Sequence, residues 1–196
     1  MAVSIDDIKK LKELTGVGLT GAKKALQDAD GNFDKALEEM RIKGLAKAEK
    51  KSDREAGAGI VHAYVHGGKI GVLVELNCET DFVARTDDFK IVANDIALHI
   101  AATSPKYLNV ADIPEADVSK ERELIAAELK EQGKPAEMAE KITEGKIKKW
   151  YSEVVLMQQA FVKNPDQTIE NLVKEAIAKL GENIVLSNYS RIELGN

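Results

Sequence analysis

Apolar residues along the chain fall into two alternating periods, and the switches between them mark the elements. Ser4-Ile5-Asp6-Asp7 has the form of a capping box, with an acid three residues after the cap. Ile5, Ile8, Leu11 and Leu14 then recur at helical spacing. Thr15-Gly16-Val17-Gly18 breaks that helix, and Thr20 caps a second one with Ala22, Ala25 and Leu26 on one side. After the turn Asp30-Gly31-Asn32, the residues Phe33, Ala36, Leu37 and Met40 mark a third helix, closed by Gly44. The stretch Leu45 to Ala58 is charged, alanine-rich and then glycine-bearing, and reads as a partly helical linker. From there the period drops to two. Val61, Ala63 and Val65 alternate as in a half-buried strand, Gly67-Gly68 is a two-residue hairpin signal, and Ile70, Val72, Val74 and Leu76 alternate on the return.

Helical spacing resumes at Asp87 to Ala102, with Phe89, Val92, Ile96, Ala97 and Ile100 on one stripe, and Ser104-Pro105 ends it. Ser119 to Glu131 and Pro135 to Trp150 are highly charged helical runs separated by Gly133-Lys134-Pro135. Val118, Ile125 and Leu129 are placed to face Met138 and Ile142, which makes a helical hairpin over about residues 118–150 that stands out from the body. A further helix covers Thr168 to Leu180. In the last strand, Ile184 and Leu186, with Ile192 and Leu194 later, hold one alternation. That strand is expected to join the hairpin. The expected fold class is α+β: a three-helix N-terminal module, then a core with a three-stranded antiparallel sheet, packed helices and the protruding helical hairpin. The expected divisions are 1–44 for the module, 45–57 for the linker and 58–196 for the core.

Composition narrows the function classes. Of the 196 residues, 44% are apolar and 31% charged, as in a soluble globular protein. No stretch approaches the roughly 18 apolar residues of a membrane span. The N-terminus has neither the basic region nor the apolar core of a signal peptide. The single cysteine, Cys78, excludes an intramolecular disulfide and fits a reducing cytoplasm. A net charge of -5 argues against a dedicated nucleic-acid binder. Arg41 to Arg54 is locally basic, with six basic residues against Glu49 and Asp53, and reads as a solvated helical linker.

Candidate catalytic chemistry is sparse. Cys78 with His62 or His66 as base would make a thiol nucleophile, but no spacing supports it, and a cysteine at a strand end is more often a small buried hydrophobe. His62 and His66 share a strand face at i, i+4, with Asp81 as a third possible ligand, but a metal site needs more convergence. There is no phosphate-binding glycine loop, dinucleotide fingerprint or nucleophile elbow. Neither catalytic residues, nor a metal, nor a cofactor are expected.

The most informative stretch is Asn77-Cys78-Glu79-Thr80-Asp81-Phe82-Val83, between the strongest strand pattern and a helix. Thr80-Asp81 reads as a helix start, with hydroxyl and carboxylate able to meet free backbone N–H groups. Phe82, one of four phenylalanines, either plugs the local core or projects into a partner.

Thr80-Asp81-Phe82-Val83 after the strand end Glu75-Leu76-Asn77-Cys78 resembles the bacterial elongation factor Ts family, in its short form. The block Leu11 to Leu26, its continuation Gly31-Asn32-Phe33 through Gly44, the hairpin Val65 to Val74, Gly133 to Trp150 and Phe161-Val162 are similar to the same family, in order and over nearly the whole chain. The three-helix module itself is like the ubiquitin-associated fold. The resemblance implies a guanine-nucleotide exchange factor that meets elongation factor Tu in its GDP-bound and nucleotide-free forms, and not an enzyme. It implies that Asp81 and Phe82 press between two helices of the Tu GTPase domain. Val17 and Lys23 lie in the module that docks on that domain, and His66 matches a hairpin histidine that meets another Tu domain. For Lys23 a solvated helix face, and for His66 a plain strand-turn role, stay open. Long members carry a second sheet subdomain and a final helical module, so their contacts do not transfer. Exposed apolar positions on the hairpin lead to a homodimer joined through the sheets. The alternative function is a ubiquitin-associated-type adaptor that binds nascent chains or another partner without exchange activity.

Overall fold

The computed structural model describes residues 3–133 and 135–195; Lys134, named in the break between the two charged helical runs, lies outside them. The chain forms two compact units. One comprises the chain up to Leu98 together with everything from Asn171 on, and the other is His99–Glu170. Helices and an antiparallel sheet together make the fold α+β.

The first unit opens with three helices, α1 (Ile5–Thr15), α2 (Leu19–Asp28) and α3 (Phe33–Glu49). Ser4 caps α1 by accepting from the Asp6 N–H, and Asn32 caps α3 by accepting from the Lys35 N–H. Their core is Leu11, Ala22, Ala25, Leu26, Ala29 and Ala36, with Ile8, Val17, Phe33, Leu37 and Met40 packed around it. Ile5 and Leu14, expected on the same stripe as Leu11, are exposed. Steps of three residues turn back by about 60° each, so four such positions wind half-way round a helix and only the middle pair faces inward. Gly44 does not end α3. The helix continues to Glu49, and Ala48 is buried in its last turn. The C-terminal half of α3 runs beside α8 (Ile169–Leu180), where Arg41 pairs with Glu175 at 3.4 Å and Glu49 with Lys174 at 3.6 Å.

The sheet has the order β1 (Ala58–His66), β2 (Ile70–Cys78), β5 (Ile184–Glu193), all antiparallel. Its inner face buries Val72, Val74, Leu76, Cys78, Ile184 and Leu186. The inward residues of β1 are Ile60, His62 and Tyr64, not Val61, Ala63 and Val65, which face out and are exposed. Loop length explains the difference. His66 pairs with Ile70 across a three-residue loop, Gly67-Gly68-Lys69, whose two glycines sit at φ 55° and 69°. A two-residue loop would have paired His66 with Lys69 and set Val65, Ala63 and Val61 opposite Ile70, Val72 and Val74. One residue of register moves every side chain to the other face. A bulge does the same to β5. Glu75 pairs with Asn188 but Leu76 pairs with Leu186, so Ser187 is the extra residue. Beyond it the inward positions are Tyr189 and Arg191. Ile192, expected to share a face with Ile184 and Leu186, is exposed on the outside.

Next in the chain come α4 (Asp81–Ala84) and α5 (Asp87–Thr103), the latter with Phe89, Ala93, Ile96, Ala97 and Ile100 buried. Thr86 starts α5, its hydroxyl accepting from the Phe89 N–H.

The second unit holds the helical hairpin α6 (Glu115–Glu131) and α7 (Ala136–Val154), with a short two-stranded ribbon, β3 (Ala160–Phe161) and β4 (Asn164–Thr168). Ile125, Leu129 and Ile147 are buried between the helices, against Ala139, Ile142, Trp150 and Tyr151. Met138, expected in that seam, is exposed, and Ile147 takes the place. Ion pairs Arg122–Glu144 at 2.6 Å and Lys146–Glu128 at 2.5 Å cross the two helices. His99 is buried, with Nε2 2.9 Å from Gln159 Oε1, and its Nδ1 accepts from the Val162 N–H at 3.3 Å.

Candidate functional site

The corner at Thr80–Val83 is built by the end of β2 and the single turn of α4. Cys78 points inward and is fully buried. Burial, and after it the negative charge of Glu182, pushes its thiol up, so the sulfur stays protonated and donates to the Thr80 carbonyl at 3.2 Å. Its burial is that of the small buried hydrophobe the sequence pointed to. Glu79 is held by the Asn183 backbone N–H at 2.7 Å and by Arg54 at 3.5 Å. Those contacts, the backbone N–H first, hold its carboxyl below the usual carboxylate range.

Thr80 is the N-cap of α4. Its backbone is extended, φ -136° and ψ 152°, and its hydroxyl accepts from the Val83 N–H at 3.5 Å. The same hydroxyl donates to Glu182 Oε1 at 2.7 Å, and the Thr80 N–H donates to Glu182 Oε2 at 3.0 Å. Asp81, the first residue of the turn, is exposed. Phe82 is 87% exposed. Its ring fills no part of the core, so of its two open readings the plug is excluded. Val83 is half-buried and Ala84 is buried beneath the turn. An aromatic ring of this exposure, flanked by a carboxylate on a fixed backbone corner, can enter a hydrophobic crevice in another protein.

The other candidate residues lie apart from the corner. Lys23 is exposed on α2. Val17, between α1 and α2, is half-buried and packs on the three-helix core. His66 is exposed at the hairpin end of β1, its Nδ1 3.0 Å from the Tyr64 hydroxyl. The hairpin and the corner cap opposite ends of β2, so about 26 Å of strand separates them. His62 meets Asn94 Oδ1 at 3.3 Å rather than His66 or Asp81. Among the described residues no group of three or more His, Cys, Asp or Glu side chains gathers to hold a metal. No helix among them is long and apolar enough to cross a membrane.

Sequence reasoning missed Glu182 and Asn183. They follow Gly181 as ordinary turn residues, and their partners lie about a hundred residues away in the chain. No local pattern announces such a pairing.

Known proteins resemble the chain over its whole length. The family model described as Elongation factor TS matches residues 2–196. The elongation factor Ts of Herpetosiphon aurantiacus is 53% identical over 197 residues, covering 100% of both chains. That of Carboxydothermus hydrogenoformans is 51% identical over 189 residues, 96% of this chain and 87% of the relative. That of Fervidobacterium nodosum is 49% identical over 196 residues, 100% of each.

Proposed function

The chain belongs to the elongation factor Ts family, and from that membership we propose that it is a guanine-nucleotide exchange factor for elongation factor Tu. The observation that carries the reading to a mechanism is Phe82, an aromatic ring left 87% in solvent on a hydrogen-bonded corner. Asp81 and Phe82 enter between two helices of the Tu GTPase domain and disturb the magnesium and phosphate side of its nucleotide site. Burying the ring in such a crevice supplies roughly 1.5–3 kcal/mol. Linkage does the rest. A partner that binds nucleotide-free Tu better than GDP-bound Tu lowers nucleotide affinity by the same factor as nucleotide lowers its own. The protein makes and breaks no covalent bond, so it is not an enzyme in that sense, and it works in the cytoplasm without binding nucleic acid.

The three-helix module, which we take to be ubiquitin-associated-like, supplies a second contact with the GTPase domain through Lys23 and the Val17 loop. His66 meets a different Tu domain. Its distance from the corner along β2 suits a contact elsewhere on Tu.

The working form is a symmetric homodimer joined through the outer face of the sheet. Val61, Val65, Leu73 and Ile192 support it: all are exposed on that face, and Ile192 is 73% exposed. A soluble protein seldom leaves such a face in water, and a twofold axis lets one patch cover itself. The complex with Tu is then two of each.

The test is release of a fluorescent GDP from a cognate Tu. Acceleration by wild type and its loss in Phe82→Ala are expected; an inert wild type would favour the adaptor reading.

A further inference from the structure

We infer that Glu182 is the positioning residue that holds the Asp81–Phe82 corner in its docking geometry, an inference that rests on the exchange reading above. The problem it solves is visible in the corner itself. α4 has four residues, too few for a helix to sustain itself. Phe82 is 87% exposed, so packing does not fix the ring. Its direction is therefore set by the backbone on either side. On the C-terminal side, Thr86 ties the chain to α5: its hydroxyl donates to the Val83 carbonyl at 2.8 Å and accepts from the Phe89 N–H. On the N-terminal side, the corresponding anchor is Thr80, and Thr80 is held by Glu182.

The geometry of that hold is specific. The carboxylate accepts from the Thr80 N–H with one oxygen and from its hydroxyl with the other, at 3.0 and 2.7 Å. A hydroxyl has one hydrogen. Committing it to Glu182 leaves only lone pairs to face the Val83 N–H, which is what an N-cap requires. Glu182 thus orients the cap as well as the backbone. A glutamine there accepts one of the two hydrogen bonds but presents an N–H₂ to the other partner, which turns the hydroxyl proton elsewhere.

Glu182 itself stands on a fixed base. Gly181 stops α8, its N–H bonded to the Ile177 carbonyl at 3.0 Å and its carbonyl accepting from Lys51 Nζ at 2.6 Å. Asn183 is buried, and its side chain donates to the Ser52 and Arg54 carbonyls at 3.2 and 2.7 Å while its N–H holds Glu79. One three-residue turn therefore grips both the segment leaving α3 and the corner. Ordering the corner before binding lowers the cost of placing Phe82 in its crevice. Thr80 is exposed and Glu182 only half-buried. Water replaces the lost hydrogen bonds if the carboxylate is removed, so the loss falls on the order of the corner and leaves the fold standing.

The experiment compares full-length wild type, Glu182→Ala, Glu182→Gln, Phe82→Ala and the Glu182→Ala/Phe82→Ala double variant. Two readouts are taken: amide hydrogen exchange in the free chain of Ala84 and Arg85, whose N–H groups donate to the Thr80 and Asp81 carbonyls at 3.2 Å each, and GDP release from Tu across chain concentrations. Glu182→Ala should expose the two amides about tenfold more, as loss of a charge-assisted hydrogen bond implies, and slow saturating GDP release about tenfold. The half-saturating concentration should move less than the rate, Glu182→Gln should fall between, and melting temperature should stay near wild type. Added to Phe82→Ala, Glu182→Ala should change release no further. Unchanged amide exchange and release in Glu182→Ala would overturn the inference, and so would a full effect persisting without Phe82. A wild type that never accelerates release would sink the exchange reading instead, while the amide readout still decides whether Glu182 orders the corner.

Discussion

Gly16 lies so close to α8 that a Cβ on it would come within 2.6 Å of the Lys179 Cα and carbonyl oxygen. Gly16 is also the C-cap of α1, at φ 67°, with its N–H on the Lys12 carbonyl. Conformation and contact thus both demand glycine there. Gly16→Ala should lower stability by at least about 1 kcal/mol from the left-handed backbone alone, and more from the contact. Chemical denaturation checks it; a variant as stable as wild type would contradict both the left-handed backbone and the close contact at Gly16.

Phe82→Ala should leave the unfolding free energy within about 0.5 kcal/mol of wild type, because the ring is already in water. A core phenylalanine would cost about 3–5 kcal/mol. The same variant should abolish most acceleration of GDP release. A large loss of stability would place the ring in the core and contradict the exposed corner.

The proposed dimer is tested at Leu73, which is 50% exposed and sits at the centre of the outer face between Ala63 and Ser190. At micromolar concentration wild type should sediment near twice the 21.4 kDa chain mass, and Leu73→Glu near once. A wild-type species at one chain mass would remove the dimer.

His99 makes stability depend on pH. Val162 donates to its Nδ1, so the ring is neutral with its hydrogen on Nε2, directed at Gln159. Burial lowers its pKa below the ordinary 6.5, against the pull of Gln159. The unfolded chain therefore takes up a proton at a pH where the folded chain does not. This contribution is complete above pH 6.5 and is lost as pH falls toward the folded value, with a slope of at most about 1.4 kcal/mol per pH unit. Between pH 7 and 5.5, wild type should lose more stability than His99→Gln. Equal slopes would contradict a neutral buried ring.

Much of the fold is legible in local patterns, and the exceptions share a cause. The three N-terminal helices, the β1–β2 hairpin, α5, α8 and the closing strand all follow from period and caps. The faces of β1 and of the second half of β5 do not, because a three-residue loop and the Ser187 bulge each shift register by one. Apolar alternation reveals that a strand exists but not which side of it is inside when the outer face carries Val61 and Val65 and the inner face Ile60 and Tyr64. β4, Asn164-Pro165-Asp166-Gln167-Thr168, has no apolar alternation to announce it. At the site, the Thr80 cap is local and legible. Glu182 is not, since its pairing with Thr80 exists only once α8 has delivered the turn to the end of β2.

The most direct test of the central claim is the rate at which a cognate Tu releases fluorescent GDP when mixed with a substoichiometric amount of this chain and excess unlabelled GDP. All of the Tu should release its nucleotide many times faster than alone, with each copy of the chain serving many copies of Tu. A release rate equal to that of Tu alone would contradict the account.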